Sequence, residues 1–190
     1  MIGHAVTKLL LERGHRVRAL VRDVERARKV VPAGAELALG DVEDPSSLAA
    51  ACDGMEWVFH VAGMPEQWQP DESVFDRVNR QGAANVMAAA LAANVRRVVH
   101  TSTMDVFAAP SGGTLVEDNI DPLPKHTAYE RSKQAAEREV EAARARGLDV
   151  VYVNPGEVYG PGPVHIGANS MFIQFLNGQM QMIPPGGMAL

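Results

Sequence analysis

Five short, mostly apolar runs recur along this chain, and stretches of helical spacing lie between them. The runs are residues 16–22 (RVRALVR), 35–40 (AELALG), 57–61 (WVFHV), 95–101 (VRRVVHT) and 148–153 (LDVVYV). Alternation of apolar and polar residues, or β-branched content, marks them as strands. Ile2, Val6, Leu9 and Leu10 share one helix face, and Arg13-Gly14 ends that helix. Residues 24–31 read as a short charged helix stopped by Pro32 and Gly34. Asp44-Pro45-Ser46 starts another, continued by residues 48–52. An alanine-rich helix over 74–93 and a long one over 127–146, closed by Gly147, complete the set. Strands that alternate with helices form an α/β protein with a mainly parallel sheet. Right-handed crossovers then make the sheet doubly wound. The continuous apolar run at 57–61 implies a strand covered on both faces. After Gly156 the character changes to glycine- and proline-rich sequence with one short helix near 171–176. The expected organisation is one domain over 1–162 and the start of a second region over 163–190.

Composition excludes some function classes. Hydrophobic content of 46% and charged content of 22% are those of an ordinary globular domain. A net charge of −5 gives no reason to expect nucleic-acid or membrane-surface binding. The lone Cys52 cannot form an intrachain disulfide, and no apolar run is long enough to span a bilayer. The first residues do not read as a signal peptide. A cytoplasmic protein with no metal site is expected.

The strongest chemical signal is Tyr129-Glu130-Arg131-Ser132-Lys133. On a helix, positions i and i+4 share a face, so the phenol and ammonium point the same way. An adjacent ammonium is expected to favour tyrosinate and lower the phenol pKa. Such a tyrosine can exchange a proton with a substrate hydroxyl while hydride moves to or from a cofactor. Alone the spacing is also that of a solvated ion pair. Its setting adds weight: the strand upstream ends in Thr101-Ser102-Thr103. Hydroxyls at the carboxyl end of a parallel strand lie where ligands bind in doubly wound sheets. The plainer reading is that these hydroxyls satisfy backbone groups at a strand end.

Taken together, the motifs resemble the extended short-chain dehydrogenase/reductases, the NAD-dependent epimerase/dehydratase family, with a dihydroflavonol-4-reductase-like flavour. The resemblance is carried by residues 14–23 (GHRVRALVRD), Gly40-Asp41-Val42, 58–63 (VFHVAG), Val78-Asn79 and 82–86 (GAANV). It continues through Thr101-Ser102-Thr103, the Tyr129/Lys133 pair and 154–162 (NPGEVYGPG). It implies a Rossmann-like fold. Tyr129 would be the general acid/base, and Lys133 would tune it and hold the nicotinamide ribose. Thr103 would be the catalytic hydroxyl, with Ser102 as the fallback. Asp41 and Val42 would flank the adenine, and Val61, Ala62 and Gly63 would run beside the cofactor as backbone. Pro155 and Val158 would meet the nicotinamide end. Asn79 would lie beneath the site, where simple helix packing is the plainer role.

The same resemblance bears on the cofactor. NAD-preferring dinucleotide enzymes usually end the second strand in an acidic residue that bonds the ribose 2′-hydroxyl. Here that strand ends in Arg22, whose guanidinium suits a 2′-phosphate. NADP is therefore expected, with NAD left open by Asp23 next door and by the reading of Arg22 as part of a solvated basic face. The family begins with a strand and a glycine-rich phosphate turn, and only Gly3 corresponds to the end of that turn. The expectation is a chain short of the first strand and of most of the C-terminal substrate region. With that strand absent from the order 3-2-1-4-5-6, two strand edges would face each other unpaired. The expected activity is NAD(P)-dependent oxidoreduction of a carbonyl or secondary alcohol in a small molecule. The alternatives are a nucleotide-sugar epimerase or dehydratase, the dehydratase weakly disfavoured because Met104-Asp105 offers one carboxylate, and a non-catalytic NADP(H)-binding regulator or inactive fragment. A homodimer through the helices at 74–93 and 127–146 is expected, two-fold symmetry being the commonest.

Overall fold

All five expected strands form, each trimmed by no more than two residues at an end: β1 (Arg18–Val21), β2 (Glu36–Leu39), β3 (Trp57–His60), β4 (Arg97–Thr101) and β5 (Val150–Val153). The structure is a computed structural model that describes residues 1–65, 68–108, 116–117, 119–161 and 167–180. Every ladder is parallel: β1 pairs with β2, β3 with β4, and β4 with β5. The strands form two sheets, β1-β2 and β3-β4-β5, with no ladder between them. That is the split expected from the order 3-2-1-4-5-6 with its third position open.

Local chemistry sets the helix starts. Helix α1 (Ile2–Glu12) has no side-chain cap and closes at Arg13, with Gly14 at φ +81 just beyond. Asp23 caps α2 (Val24–Val30) by accepting from the Arg26 backbone N–H at 2.9 Å. Asp44 caps α3 (Pro45–Cys52), whose Pro45 occupies a first-turn position where no intrahelical donor is needed. Thr127 and Glu130 form a reciprocal capping box at the start of α6 (Ala128–Ala145). Arg18 on β1 pairs with Glu36 at 2.8 Å and donates to the carbonyls of Ala50, Ala51 and Asp53. The cation thereby answers the orphan carbonyls at the end of α3.

The expected helix over 74–93 is interrupted. It starts as α4 (Ser73–Phe75), passes through a π-helical turn at Asp76–Gln81, and resumes as α5 (Gly82–Ala92). The π turn carries the buried Asn79, whose bonds are tertiary and thus invisible to helical periodicity. Helices α3, α5 and α6 cover one sheet face. Val42, Leu48, Met87, Val98, Val140 and Val150 lie at the centre of that core. A Cβ on Gly82 would come within 2.8 Å of Val42 Cγ2, so glycine permits the close approach of α5 to the end of β2.

The expectation that β3 is covered on both faces is not met. Val58 and His60 point to the core, whereas Trp57 and Phe59 alternate outward and are exposed, as are Val151 and Val153 on β5. Helix α7 (Gly167–Leu176) extends the short helix expected near 171–176, and its Phe172, Phe175 and Leu176 are exposed. Of the second region expected over 163–190, residues 163–166 and 181–190, including the 184–187 proline–glycine cluster, lie outside the described residues, as does Gly162. No described helix is long and apolar enough to cross a membrane.

Candidate active site

Because the strands run parallel, their carboxyl ends lie on one edge of each sheet, and the candidate residues follow those ends directly. Arg22 follows β1, Gly40-Asp41-Val42 follow β2, Val61-Ala62-Gly63 follow β3, Ser102-Thr103 follow β4 and Asn154-Pro155 follow β5. Beyond their ladder, β4 and β5 stay joined. Ser102 donates its N–H to the Val153 carbonyl at 2.8 Å and Met104 donates to the Pro155 carbonyl at 3.0 Å.

Thr103 caps a 3-10 turn, Met104–Val106, which leaves no periodic sign in the sequence. Its hydroxyl donates to Asp105 Oδ2 at 3.0 Å and accepts from the Asp105 N–H at 3.2 Å. Tyr129 lies in the first turn of α6, edge-on to Phe75, with its phenol beside the Thr103 hydroxyl. Ser102 faces the other way: its hydroxyl donates to Glu137, inside the protein. Thr103 therefore suits the role expected of a catalytic hydroxyl better than the fallback Ser102.

Lys133 is buried beneath Tyr129, and its Nζ donates to the Thr101 carbonyl at 2.9 Å. Burial brings its ammonium down to about 8, with the Glu137 carboxylate opposing the fall. The lowering expected of the Tyr129 phenol is reversed. Burial pushes it up above all else; the Thr103 hydrogen bond opposes this, and the carboxylates of Asp105, Glu130 and Glu157 add to the rise. The i,i+4 spacing does put the two groups on one helix side. The Lys133 ammonium, however, is directed to a strand-end carbonyl, and three carboxylates act on the phenol instead.

Asn79 is 3% exposed and does more than pack. Its Oδ1 accepts from the Met64 N–H at 2.7 Å, and its Nδ2 donates to the Met64 carbonyl at 3.2 Å and to Ser132 Oγ at 2.9 Å. It ties the segment after Gly63 to the helix that carries Tyr129 and Lys133. Val42 turns its side chain into the core, which leaves its backbone at the strand end. Its carbonyl accepts from Asn85 at 2.8 Å. Asp41 accepts from the Glu43 N–H in a local turn. Val61, Pro155 and Val158 are half-buried, and Ala62 and Gly63 exposed. Arg22 is exposed, and the neighbouring Asp23 carboxylate is committed to capping α2. Gly3 occupies the exposed first turn of α1, with open space where a Cβ would project.

The sequence profile of the NAD dependent epimerase/dehydratase family matches residues 1–184. The chain belongs to the NAD-dependent epimerase/dehydratase family. Among curated relatives it is 33% identical over 189 residues to sterol demethylase protein B of Methylococcus capsulatus, covering 97% of this chain and 57% of that protein. It is 32% identical over 182 residues to a putative dihydroflavonol 4-reductase of Synechocystis, covering 94% and 53% respectively. Among solved structures, Thermus thermophilus UDP-glucose 4-epimerase in complex with NAD superposes with a TM-score of 0.79 at 25% identity, over 92% of this chain and 58% of that one. The dTDP-glucose 4,6-dehydratase DesIV of Streptomyces venezuelae, with NAD and TYD bound, gives 0.79 at 25% identity over 93% and 59%. The chain spans about half the length of the curated relatives it matches. Reductases, epimerases and dehydratases all occur among these relatives of an NAD-dependent family.

The strand-end residues of this family member fit a dinucleotide at two places. The Arg22, Asp41 and Val42 end offers a cation and turn backbone. The Tyr129 and Lys133 end offers a phenol and an ammonium, reached along the exposed Ala62-Gly63 backbone. Of the groups that organise this edge, Glu137 escaped the sequence reading, and Asp105 and Asn154 entered it only as motif members with no positioning role. Glu137 left a readable sign, a charge inside the core-facing stripe of Ala136, Val140 and Ala143.

Proposed function

We propose that this chain carries the nucleotide-binding and proton-transfer half of an NAD(P)-dependent oxidoreductase that acts on a carbonyl or secondary alcohol of a small molecule. The observation that carries the reading is the meeting of the Thr103 and Tyr129 hydroxyls at the carboxyl end of β4, with the buried Lys133 ammonium one helical turn below. A bound nicotinamide cofactor supplies or accepts the hydride. Tyr129 gives a proton to the substrate oxygen during reduction and takes it back during oxidation. A raised phenol pKa keeps Tyr129 protonated at neutral pH, the form that donates. The Thr103 hydroxyl, bonded to Asp105, lies beside the Tyr129 phenol and would bind the same substrate oxygen. Lys133, its ammonium on the Thr101 carbonyl, would share a remaining N–H with the ribose. Replacing Tyr129 with Phe in the protein should lower turnover by roughly 10²–10⁴ and leave cofactor binding nearly unchanged. Near-normal turnover would remove Tyr129 from the chemistry.

NADP is the proposed cofactor. Asp23 is occupied as a helix cap, which among the described residues leaves Arg22 as the free charged group at the end of β1 and supports a 2′-phosphate over a 2′-hydroxyl. The second reading, an epimerase or dehydratase, is favoured by one observation: the Asp105 carboxylate is bonded to Thr103 and acts on Tyr129, so a second proton acceptor lies beside the reacting oxygen. Solvent deuterium appearing in substrate or product at a carbon next to the carbonyl would favour that reading. A cytoplasmic homodimer is the proposed form of the protein, and neither nucleic acid nor membrane is a proposed partner.

A further inference from the structure

Glu137 is 3% exposed. It lies one turn beyond Lys133 on α6. Its Oε1 accepts from Ser102 Oγ and, at 3.0 Å, from Asn154 Nδ2. The same Asn154 amide reaches the Thr103 carbonyl at 3.2 Å. One carboxylate oxygen thus joins the ends of β4 and β5 to the helix that carries Tyr129 and Lys133. A buried carboxylate is costly unless it is paired and hydrogen-bonded, so its retention inside an apolar stripe calls for donors and a neighbouring cation. Both are present.

We propose that Glu137 is a positioning residue of this site: it braces the Ser102-Thr103 turn and Asn154 against α6, and its charge is the counter-ion of the buried Lys133 ammonium. The proposal rests on the reading of Tyr129 and Lys133 as the acid/base pair. The groups around the ammonium are Glu137 on α6, His60 on β3, and His100 with the Thr101 carbonyl on β4. Those facing Glu137 are Lys133 on its own helix, Ser102 on the β4 side, and Asn154 and Tyr152 on the β5 side. Both imidazoles are held neutral by burial, so Glu137 is the negative charge that opposes the desolvation of Lys133.

The test reads Lys133 directly. The protein is labelled with ¹³C-lysine, and the Lys133 side chain is titrated by NMR in wild type, Glu137→Gln and Ser102→Ala. Glu137→Gln keeps the shape and removes the charge, so Lys133 should titrate lower by about one pH unit, the scale for losing a nearby opposite charge. The alkaline limb of kcat/KM should move with it. Ser102→Ala keeps the charge; it should slow turnover without moving the Lys133 titration down. If Glu137→Gln does not fold, Ser102→Ala alone decides, since a downward Lys133 shift there contradicts the counter-ion role. A Lys133 that titrates identically in wild type and Glu137→Gln overturns the proposal. An inactive protein whose Lys133 still shifts in Glu137→Gln supports the proposal and overturns the oxidoreductase reading alone.

Discussion

His60 on β3 and His100 on β4 are ladder partners, their rings 5.2 Å apart and both buried against α6. Neither ring nitrogen of His100 has a hydrogen-bond partner among the described residues. Burial, then the nearby Lys133 charge, brings His60 down to about 3; burial, then His60 and Lys133, brings His100 down to about 2. In the unfolded chain both return to about 6.5. Below that pH the unfolded state binds protons that the folded state refuses, so stability falls as pH falls. Each histidine contributes a loss of about 1.4 kcal/mol per pH unit once the unfolded group is protonated. Between pH 7 and 5 the pair should therefore lose about 4 kcal/mol, a large part of a typical 5–15 kcal/mol total. Most carboxylate titration lies below this window, and the carboxylates with shifted values are moved further down, so the window isolates the histidines. The assay is urea unfolding at pH 7, 6 and 5, followed by tryptophan fluorescence. His100→Leu removes no hydrogen bond, so it should keep neutral-pH stability and halve the acid loss to about 2 kcal/mol. An unchanged acid slope in His100→Leu, or a His100 that titrates near 6.5 in the folded protein, would refute the reasoning.

Three further outcomes are expected. Arg22→Ala should weaken NADPH binding by roughly 1.5–3 kcal/mol and leave NADH nearly untouched; equal losses in calorimetric titration would assign Arg22 to the strand and not to a phosphate. Gly82→Ala puts a Cβ 2.8 Å from Val42 Cγ2, which should cost about 1–3 kcal/mol in urea unfolding by overpacking, whereas Gly3→Ala, facing open space, should leave stability within about 0.5 kcal/mol. Light scattering at micromolar concentration should report a dimer, and a clean monomer would count against pairing through α5 and α6.

The strands and helices were legible because period and punctuation are local. Residues 16–22 alternate, Asp44-Pro45 starts a helix, and Gly147 (φ +99) ends one. The π turn at Asp76–Gln81 was not legible, because what holds it is Asn79 bonded to Met64 and Ser132, far away in the chain. The split between β1-β2 and β3-β4-β5 followed from the family resemblance, whose strand order puts a first strand with no counterpart here between them, and from no single residue. Which face of the run at 57–61 would be bare was hidden, since five apolar-looking positions carry no inward–outward signal; the structure turns Trp57 and Phe59 outward and buries His60.

The candidate site divides in the same way. Spacing along α6 placed Tyr129 and Lys133 together, since a helix carries its own geometry from residue to residue. The electrostatic consequence came from elsewhere. The Thr101 carbonyl at the end of β4 draws the ammonium, and Asp105 and Glu157, one beside each strand end, reach the phenol. Burial of the phenol reversed the direction of the Tyr129 shift, and these tertiary meetings of parallel strand ends added to it. A phenol pushed up donates its proton more reluctantly, so in the proposed reaction a substrate oxygen would gain charge before Tyr129 releases the proton. That favours transfer late in hydride addition over prior protonation of the carbonyl. It also gives the Glu137 brace a purpose: a proton passed late travels over a short, set distance, and the ends of β4 and β5 have to be held still while it does.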